Sequence, residues 1–399
     1  MSDTKKTGQN TRLVVGGRHK EWTHGVVNPP VYRASTCVFE TYAEMRARTA
    51  APNEKKLFYA RKGTPTQWAL DDALSDLHGG AGTLLYPSGV AAIAGVFLSL
   101  LQAGDHVLIT DNAYEPTRGM AGGLLKRMGI GVTYFDPLAP IRPLMTDRTR
   151  MIFTESPGSL TFEMQDIRDI VAAAQVHDAL VVVDNTWATP LFHQPLAHGV
   201  DVVIEAVTKY IGGHSDLMMG SATAGERTLA ALKRGAGHMG QTVSPDDAFL
   251  ALRGLRSLSA RLRQHEDSAL KVARWLRGHE AVADVLYPAL DSHPGHALWQ
   301  RDFSGASGLF SIILKGGDYA DTAAMTDGMR LFKMGFSWGG YESLMVPSDP
   351  TPVRTATRWS ADGPLVRLHI GLEDPEDLIS DLSDGLTRYG RHLNGQSGF

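Results

Sequence analysis

Cysteine is nearly absent from this sequence. Cys37 is the only cysteine among 399 residues, so the chain can form no disulfide within itself. It also lacks the paired cysteines of zinc and redox sites. A chain without disulfides is typical of a reducing compartment, and we therefore expect the protein to work in the cytoplasm.

Long apolar runs, a signal peptide and an excess of one charge are missing as well. The most apolar stretch, Val90 to Leu101, is shorter than the about 20 residues that cross a bilayer, so it predicts a buried helix and no membrane partner. The polar N-terminus lacks the apolar region of a signal peptide. With 39 Lys and Arg against 43 Asp and Glu, nothing indicates nucleic-acid binding. The 15 histidines show no metal-binding spacing, so we expect no metal site.

Short apolar runs alternate with helical patterns in the middle of the chain. Runs that are apolar on both faces are typical of strands in a parallel sheet that helices cover on both sides. The sequence therefore predicts an α/β fold with a mostly parallel sheet. The predicted strands are Val107–Thr110, Gly131–Phe135, Met151–Glu155, Leu180–Asp184 and Val202–Val207. The predicted crossover helices are Gly89–Gln102, Glu115–Met128 and Met164–Gln175.

The length of the chain predicts more than one domain, because a domain usually holds about 150 residues. Residues 1–58 show little periodicity and contain turn-forming prolines, which indicates an extended N-terminal arm. Residues 59–255 form the predicted large domain. A helical pattern that begins after Ser244 and runs towards Gly278 bridges to a smaller α/β domain, which spans residues 256–399.

Asp184 and Lys209 each follow an apolar run of the predicted sheet. Taken alone, the aspartate is more often a turn or cap residue, and the lysine a surface residue. A lysine in a partly desolvated pocket, however, loses basicity and attacks aldehydes. An aspartate beside a pyridinium nitrogen keeps the ring electron-withdrawing. Together, these two residues predict pyridoxal 5'-phosphate, held as an imine on Lys209.

Two further positions could contact that cofactor. Ser88, Gly89 and Val90 lead from a strand-like run into an apolar helix, whose first amides can bind a phosphate; the same residues also suit a plain helix cap. Tyr114 follows the predicted strand Val107–Thr110. Its ring can stack on a flat cofactor or simply pack on the surface.

A series of short motifs follows in a fixed order along the chain. The motifs are Tyr59-Ala60-Arg61, Gly63-Thr64-Pro65-Thr66, Tyr114-Glu115-Pro116, Glu155-Ser156-Pro157-Gly158-Ser159, Asp184-Asn185-Thr186, Thr208-Lys209-Tyr210 and Gly213-His214-Ser215-Asp216. In this order they resemble the Cys/Met-metabolism family of pyridoxal-phosphate enzymes. The resemblance covers nearly the whole chain.

The resemblance implies a fold and a set of roles. The fold is the pyridoxal-phosphate-dependent transferase-like fold, type I. Lys209 and Tyr114 are the implied catalytic residues, with Lys209 as imine lysine and base and Tyr114 as the stacking ring. The other implied cofactor ligands are Asp184 at the pyridinium nitrogen, Gly89, Val90 and Thr208 at the phosphate, and Tyr59 and Arg61 from a neighbouring subunit. The arm and the resemblance together imply a dimer with shared active sites as the minimum, assembled into a tetramer.

Two C-terminal stretches resemble the β-lyase branch of this family. They are Ser337-Trp338-Gly339-Gly340-Tyr341-Glu342-Ser343-Leu344 and Leu365-Val366-Arg367-Leu368-His369-Ile370-Gly371. Arg367 is implied to bind the substrate carboxylate, and Ser337, Trp338 and Tyr341 to line the substrate. The implied reaction is β-elimination on L-cystathionine, which gives homocysteine, pyruvate and ammonia.

Other functions remain open at this point. The same scaffold supports γ-elimination, γ-replacement or cysteine desulfhydration, and a cofactor-binding regulator is the non-enzyme alternative. The segment Gly235–Gly240 fits the GxGxxG pattern of dinucleotide-binding proteins. A helical pattern precedes it where a strand is required, so a dehydrogenase is not favoured.

The sequence departs from expectation at two positions that precede Lys209, Ala206 and Glu205. Much of the family has serine three residues before the lysine, where this chain has Ala206, so one phosphate hydroxyl is missing. Glu205 directly precedes Ala206, and a carboxylate at this position would repel the phosphate of the cofactor. The sequence offers no reason for Glu205.

Overall fold

A computed structural model describes residues 7–50 and 55–395. The first part of the chain builds a seven-stranded sheet and the helices around it. Its elements are α1 (Gln9–Val15), α2 (Lys20–Thr23), α3 (Tyr42–Ala50), α4 (Pro65–His78), β1 (Gly82–Tyr86), α5 (Gly89–Leu100), β2 (His106–Thr110), α6 (Glu115–Met120), β3 (Gly131–Phe135), β4 (Thr149–Glu155), α7 (Ile167–Val176), β5 (Leu180–Asp184), α8 (Thr189–Phe192), β6 (Val202–Glu205), β7 (Gly220–Ala224) and α9 (Glu226–His238).

The large sheet has the strand order β1-β7-β6-β5-β4-β2-β3. Neighbouring strands from β6 to β3 run parallel, and β7 runs antiparallel to both β6 and β1. The predicted strands are confirmed to within two residues at each end. β6 ends at Glu205, before the predicted Val207, because the chain turns there and the Lys209 amide donates to the Ala206 carbonyl oxygen.

Helices cover both faces of this sheet. The apolar run from Val90 forms α5, which packs with α9 against one face, while α7 packs against the other. The buried-helix prediction is thus confirmed, and no described helix is long and apolar enough to cross a membrane. The predicted helix Glu115–Met128 begins as α6 and continues as a π-helical turn over Ala121–Leu125. Gly235 and Gly237 lie inside α9, which agrees with the rejection of a dinucleotide motif.

One long helix connects the two halves of the molecule. It is α10 (Pro245–Arg277), capped by the Ser244 side chain, as the helical pattern predicted. Its first half packs with α4 beside the large sheet, and its second half packs under a smaller sheet. The remaining elements are β8 (Val282–Leu286), α11 (His296–Asp302), β9 (Leu309–Leu314), α12 (Ala323–Thr326), β10 (Lys333–Met334), β11 (Leu344–Pro347), β12 (Leu365–His369) and α13 (Pro375–Leu393).

The smaller sheet has the order β10-β11-β12-β9-β8 and is antiparallel except for the β10–β11 pair. Helix α13 covers it through Leu378, Leu382 and Leu386. The apolar side chains around the smaller sheet form a cluster of their own, separate from the clusters on the two faces of the large sheet. The division of the chain into domains stays a prediction. The boundaries drawn at residues 58 and 255 stay predictions.

The N-terminal segment is only partly extended. α1 packs on the large domain, where Leu13 is 1% exposed and belongs to the core of α4 and α10. Arg256 of α10 holds it by donating to the Leu13 and Gly16 carbonyl oxygens at 2.6 and 2.8 Å. The stretch between α2 and α3 has no regular helix, and Val38 there is 89% exposed. Two parts of the predicted arm, residues 1–6 and 51–54, lie outside the described residues.

A buried carboxylate joins the two domains. Asp111, directly after β2, is fully buried and accepts from the backbone N–H groups of Thr355, Ala356 and Thr357 at 2.9 to 3.2 Å. Arg118 completes the contact at 2.8 Å. Burial disfavours the charge of Asp111, but the three N–H groups and the Thr357 hydroxyl outweigh it and lower its pKa to about 2. One charged side chain therefore fixes the loop between β11 and β12 on the large domain.

Asp111→Asn should destabilise the protein. The substituted amide would turn N–H groups towards donors, so we expect the free energy of unfolding to fall by about 3 kcal/mol, measured by urea denaturation. Asp147→Asn is the matched control, because Asp147 is exposed and none of the described residues bonds its carboxylate. The control should change stability by less than about 0.5 kcal/mol. Equal midpoints for the two variants would contradict the role of Asp111.

Candidate active site

Polar side chains gather at the carboxyl edge of the large sheet. β4 and β5 pair so that Glu155 lies opposite Asp184. Tyr114 follows β2 at the same edge, and its backbone N–H donates to Glu155 Oε2 at 2.8 Å. No role for Glu155 was predicted beyond its place in a family-like motif. The strand register, which no motif reveals, makes it the residue that fixes the start of the Tyr114 helix.

Asp184 is held by one of its own neighbours. Thr186 donates to Oδ1 from its hydroxyl at 2.6 Å and from its backbone at 3.0 Å. None of the described residues donates to Oδ2, so this oxygen is available to a ligand. Burial raises the pKa of Asp184, whereas Thr186 and the nearby charge of Lys209 favour its ionised form. The Thr186 hydroxyl also accepts from the Ala206 N–H at 2.8 Å, which ties Asp184 to the segment that leads to Lys209.

Lys209 lies where the two domains meet. Its Nζ donates to Ser337 Oγ at 2.7 Å and lies 5.2 Å from the centre of the Trp338 ring. Burial and, secondly, the charge of Arg367 lower the pKa of Lys209 to about 8, while Asp184 opposes them. The amine is therefore close to the balance between its charged and neutral forms at physiological pH.

The loop that brings Ser337 to Lys209 makes a close backbone contact. Gly339 has a φ of 85°, which is strained for any residue with a side chain. A Cβ there would lie 2.7 Å from the Tyr210 nitrogen and 2.8 Å from the Lys209 carbonyl carbon. Only glycine lets the loop approach the lysine this closely.

Arg367 reaches the same place from β12. Its Nη2 donates to the Phe336 carbonyl oxygen at 3.1 Å, next to Ser337. Burial lowers the pKa of Arg367 to about 10, so it keeps its charge at neutral pH. Tyr341 is 53% exposed, and none of the described contacts joins its side chain to Lys209. The structure thus groups Ser337, Trp338 and Arg367 around Lys209 and leaves Tyr341 at the outside.

Gly89, Val90 and Thr208, the phosphate ligands predicted from within the chain, lie at or next to the segment that carries Lys209. The N-terminus of α5 packs on the Lys209 segment, since a Cβ on Gly89 would lie 2.9 Å from Ala206 Cβ. None of the described residues accepts from the N–H groups of Gly89 and Val90, which suits an anion at this helix start. The Thr208 hydroxyl instead donates to the Met219 carbonyl oxygen at 3.1 Å and accepts from the Met219 N–H at 2.9 Å.

Glu205 points away from this group. Asp184 lies opposite Ile204 in the sheet, so the next residue, Glu205, faces the other side. There it is 1% exposed, accepts from Asn185 at 3.1 Å and lies 3.7 Å from His78 Nε2. Burial raises the pKa of Glu205 well above its usual range and lowers that of His78 to about 3, so the neutral forms are favoured. Glu205 therefore does not repel a phosphate bound at the start of α5.

Tyr59 and Arg61 lie apart from Lys209 within the chain. The Arg61 guanidinium lies 5.6 Å from the Tyr59 ring and donates to the Gly237 carbonyl oxygen at 3.4 Å. No contact among the described residues joins either side chain to Asp184, Tyr114 or Lys209. Their suggested contribution to a neighbouring subunit stays a prediction.

The fold and the site define a class of protein. They describe an α/β enzyme in which a lysine and an aspartate meet at the carboxyl edge of a mostly parallel sheet, opposite an arginine from the smaller sheet. The chain belongs to the Cys/Met metabolism PLP-dependent enzymes, whose family pattern matches residues 10–387. Its cofactor is pyridoxal 5'-phosphate, and the expected type I fold is confirmed.

Individual relatives match nearly the whole chain. The cystathionine β-lyase of Escherichia coli is 44% identical, over 97% of this chain and 100% of its own. An L-alanine/L-glutamate racemase of Wolbachia pipientis is 42% identical, over 94% and 96%. Among solved structures, the cystathionine γ-synthase of Xanthomonas oryzae pv. oryzae, in complex with aminoacrylate and cysteine, matches with a TM-score of 0.88 at 36% identity, over 96% and 99%.

Lys209 should titrate near pH 8 in the cofactor-free protein. Because only a neutral amine attacks an acylating reagent, its labelling, followed by mass spectrometry of the Lys209 peptide, should rise with pH and reach half its maximum near pH 8. Arg367→Gln removes a charge that disfavours the ammonium form, so the midpoint should move upward. A wild-type midpoint near the ordinary lysine value of about 10.4 would contradict the prediction.

Proposed function

We propose that the protein is a carbon–sulfur lyase that cleaves L-cystathionine by β-elimination into homocysteine, pyruvate and ammonia. The contact of the Lys209 amine with Ser337 and Trp338, close to Arg367, carries this proposal. Ser337, Trp338 and Arg367 belong to the two stretches by which the sequence resembles the β-lyase branch. The relatives that are themselves named cystathionine β-lyases support the same reaction.

The residues around Lys209 fit the cofactor. Lys209 would bind it covalently, Asp184 would receive the ring nitrogen at the free Oδ2, and the Tyr114 ring would stack on it. The free N–H groups of Gly89 and Val90 would hold the phosphate, and Thr208 would join them by turning its hydroxyl proton from the Met219 carbonyl oxygen to the phosphate. The bound cofactor withdraws electrons from an attached amino acid and so makes its Cα–H bond acidic.

Lys209 is the proposed general base. With a pKa of about 8, an appreciable fraction of the amine is neutral at physiological pH and can remove the Cα proton. The Cβ–S bond then breaks, and the sulfur leaves with the electron pair and takes up a proton as the thiol of homocysteine. Water releases the remaining three carbons as pyruvate and the nitrogen as ammonia.

The second domain provides the proposed substrate contacts. Of the Arg367 guanidinium, only Nη2 has an acceptor among the described residues. The remaining N–H groups can bind a planar carboxylate in two places at once, which a lysine cannot do. Ser337 and Trp338 would lie along the reacting carbons, and the exposed Tyr341 would line the leaving-group side.

Two other kinds of reaction at the same site, reaction at the γ carbon and racemisation, are suggested by particular relatives. The similarity to a γ-synthase structure favours γ-replacement or γ-elimination, which needs an additional proton transfer at Cβ. The racemase relative favours return of the proton to Cα when the substrate, such as alanine, has no leaving group at Cβ. All of these reactions begin with the proton transfer assigned to Lys209, so the products must distinguish them.

The test is to identify every product that the loaded enzyme forms from L-cystathionine. Pyruvate and homocysteine are expected. The appearance of 2-oxobutyrate with cysteine would mean γ-cleavage, and sulfide formed faster from L-cysteine would mean desulfhydration. D-alanine from L-alanine, measured by chiral chromatography, would identify a racemase. Repeated turnover of any substrate would exclude a regulator that only binds the cofactor.

Lys209→Ala should lower kcat by at least about a thousandfold, because it removes both the covalent anchor and the base. After reduction with borohydride, mass spectrometry should find the cofactor on Lys209 in the wild type and on no residue of the variant. Lys126→Ala, at an exposed lysine directly after the π-helical turn, is the matched control and should keep full activity. Full turnover by Lys209→Ala would end the proposal.

We also propose a cytoplasmic dimer with shared active sites, assembled into a tetramer. Three features support the shared site. Arg61 and Tyr59 contact each other away from Lys209. Helix α3 has no buried residue. Tyr42 in that helix is 72% exposed, so this part of the chain has surface for a second copy. The single cysteine supports the compartment.

Mixed subunits test the sharing of the site. Lys209→Ala and Arg61→Ala should each be nearly inactive alone. In a two-fold symmetric dimer that contains one of each, one site regains both residues, so equal mixing after denaturation and renaturation should restore about a quarter of the wild-type activity. No recovery, while size measurements show mixed dimers, would mean that Arg61 serves its own chain.

A further inference from the structure

Behind the candidate site, a buried histidine contacts the loop that carries Ser337 and Trp338. His369 is 1% exposed and lies two residues beyond Arg367 on β12. Alternate residues of a strand face the same side, so the side chains of Arg367 and His369 both point towards the Lys209 side of the smaller sheet. The Tyr210 and His265 rings lie 5.9 and 5.4 Å from the His369 ring.

Both ring nitrogens of His369 are bonded to the loop backbone. The Gly339 N–H donates to Nε2 at 3.0 Å, so Nε2 carries no proton. The other nitrogen, Nδ1, lies 3.1 Å from the Glu342 carbonyl oxygen and must donate to it. Only the neutral tautomer with a proton on Nδ1 satisfies both partners. Burial lowers the pKa of His369 well below its usual range, which favours this neutral form.

We propose that His369 is a positioning residue for Lys209: as a neutral Nδ1–H ring it clamps the Gly339–Glu342 loop at both ends and thereby holds Ser337 and Trp338 on the lysine amine. The inference depends on the role proposed for Lys209. The proposed role of His369 is to hold the loop backbone, to which both of its ring nitrogens are bonded.

The two hydrogen bonds of the clamp differ in importance. Gly339 is buried, so its N–H has no access to water once the acceptor is removed. Glu342 is half-buried, and its carbonyl oxygen can bond water instead. Nε2 is therefore the critical atom. In the geometry of amide side chains, the end of Gln matches Nε2 and the end of Asn matches Nδ1.

Three variants separate the bond from the packing. His369→Asn keeps a donor for Glu342 and removes the acceptor for Gly339, whereas His369→Gln keeps that acceptor. His265→Asn is the matched control, because it makes the same ring-to-amide change in the same cluster. His265 bonds the Ile370 carbonyl oxygen through Nδ1, outside the loop.

Hydrogen exchange of residues 337–342 and kcat/KM are measured for all three. In His369→Asn, exchange should accelerate at least about tenfold and kcat/KM should fall by about tenfold or more, the factor that about 1.4 kcal/mol produces. His369→Gln and His265→Asn should stay within about threefold of the wild type. The labelling midpoint of Lys209 in cofactor-free protein should rise in His369→Asn, since an open loop admits water to the amine.

A hydrogen-exchange rate of residues 337–342 that is the same in His369→Asn as in the wild type would contradict the clamp. Equal acceleration of that exchange by His265→Asn and His369→Asn would contradict it as well. If His369→Asn does not fold, nitrogen NMR of the wild-type histidines decides, and a proton on Nε2 refutes the proposal. Hydrogen exchange of the loop can be measured whether or not the enzyme turns over substrate, so it tests the clamp separately from the proposed function. If Lys209→Ala kept full activity while His369→Asn opened the loop, the clamp would stand and the proposed function would fail.

Discussion

The register of three parallel strands is the constraint on which the site depends. β4 and β5 pair Glu155 with Asp184, and β5 and β6 pair Asp184 with Ile204. A slip of one residue would turn every side chain of a strand to the opposite face. The valines and isoleucines of these strands fill two different helix-covered layers and would leave both. Apolar packing therefore decides which polar side chains reach the edge of the sheet.

Lys209 depends on this register through the Thr186 hydroxyl, which orients Asp184 and also accepts from the Ala206 N–H. The large domain thus fixes the position of the backbone that carries Lys209. Its chemistry, however, is set by the second domain, because Arg367 and the loop around Ser337 and Trp338 supply the charge and part of the burial that lower its pKa. Neither domain alone would give the amine these properties.

Much of this arrangement follows from the order of residues in the sequence. Parallel strands present their carboxyl ends at one edge, so Tyr114, Asp184 and Lys209 could be expected to meet there, and the structure brings them together. The direction of Glu205 could not be expected, because it depends on the register. The clamp by His369 and the joint at Asp111 could not either. The clamp connects residues 27 and 30 positions apart, the joint connects residues 244 to 246 positions apart, and no local pattern marks either.

Three carboxyl groups, those of Glu155, Asp184 and Glu205, end neighbouring strands, yet they are not equivalent. Burial raises the pKa of each, and Asp184 further raises those of the two glutamates. Glu155 accepts from one backbone N–H and Glu205 from one side-chain amide. Asp184 accepts twice from Thr186 and is the one of the three that Lys209 stabilises. Hydrogen-bond donors and a nearby cation favour the ionised form of a carboxyl group. The negative charge at this edge of the sheet is therefore concentrated on Asp184, whose ionised form the charge of Lys209 favours.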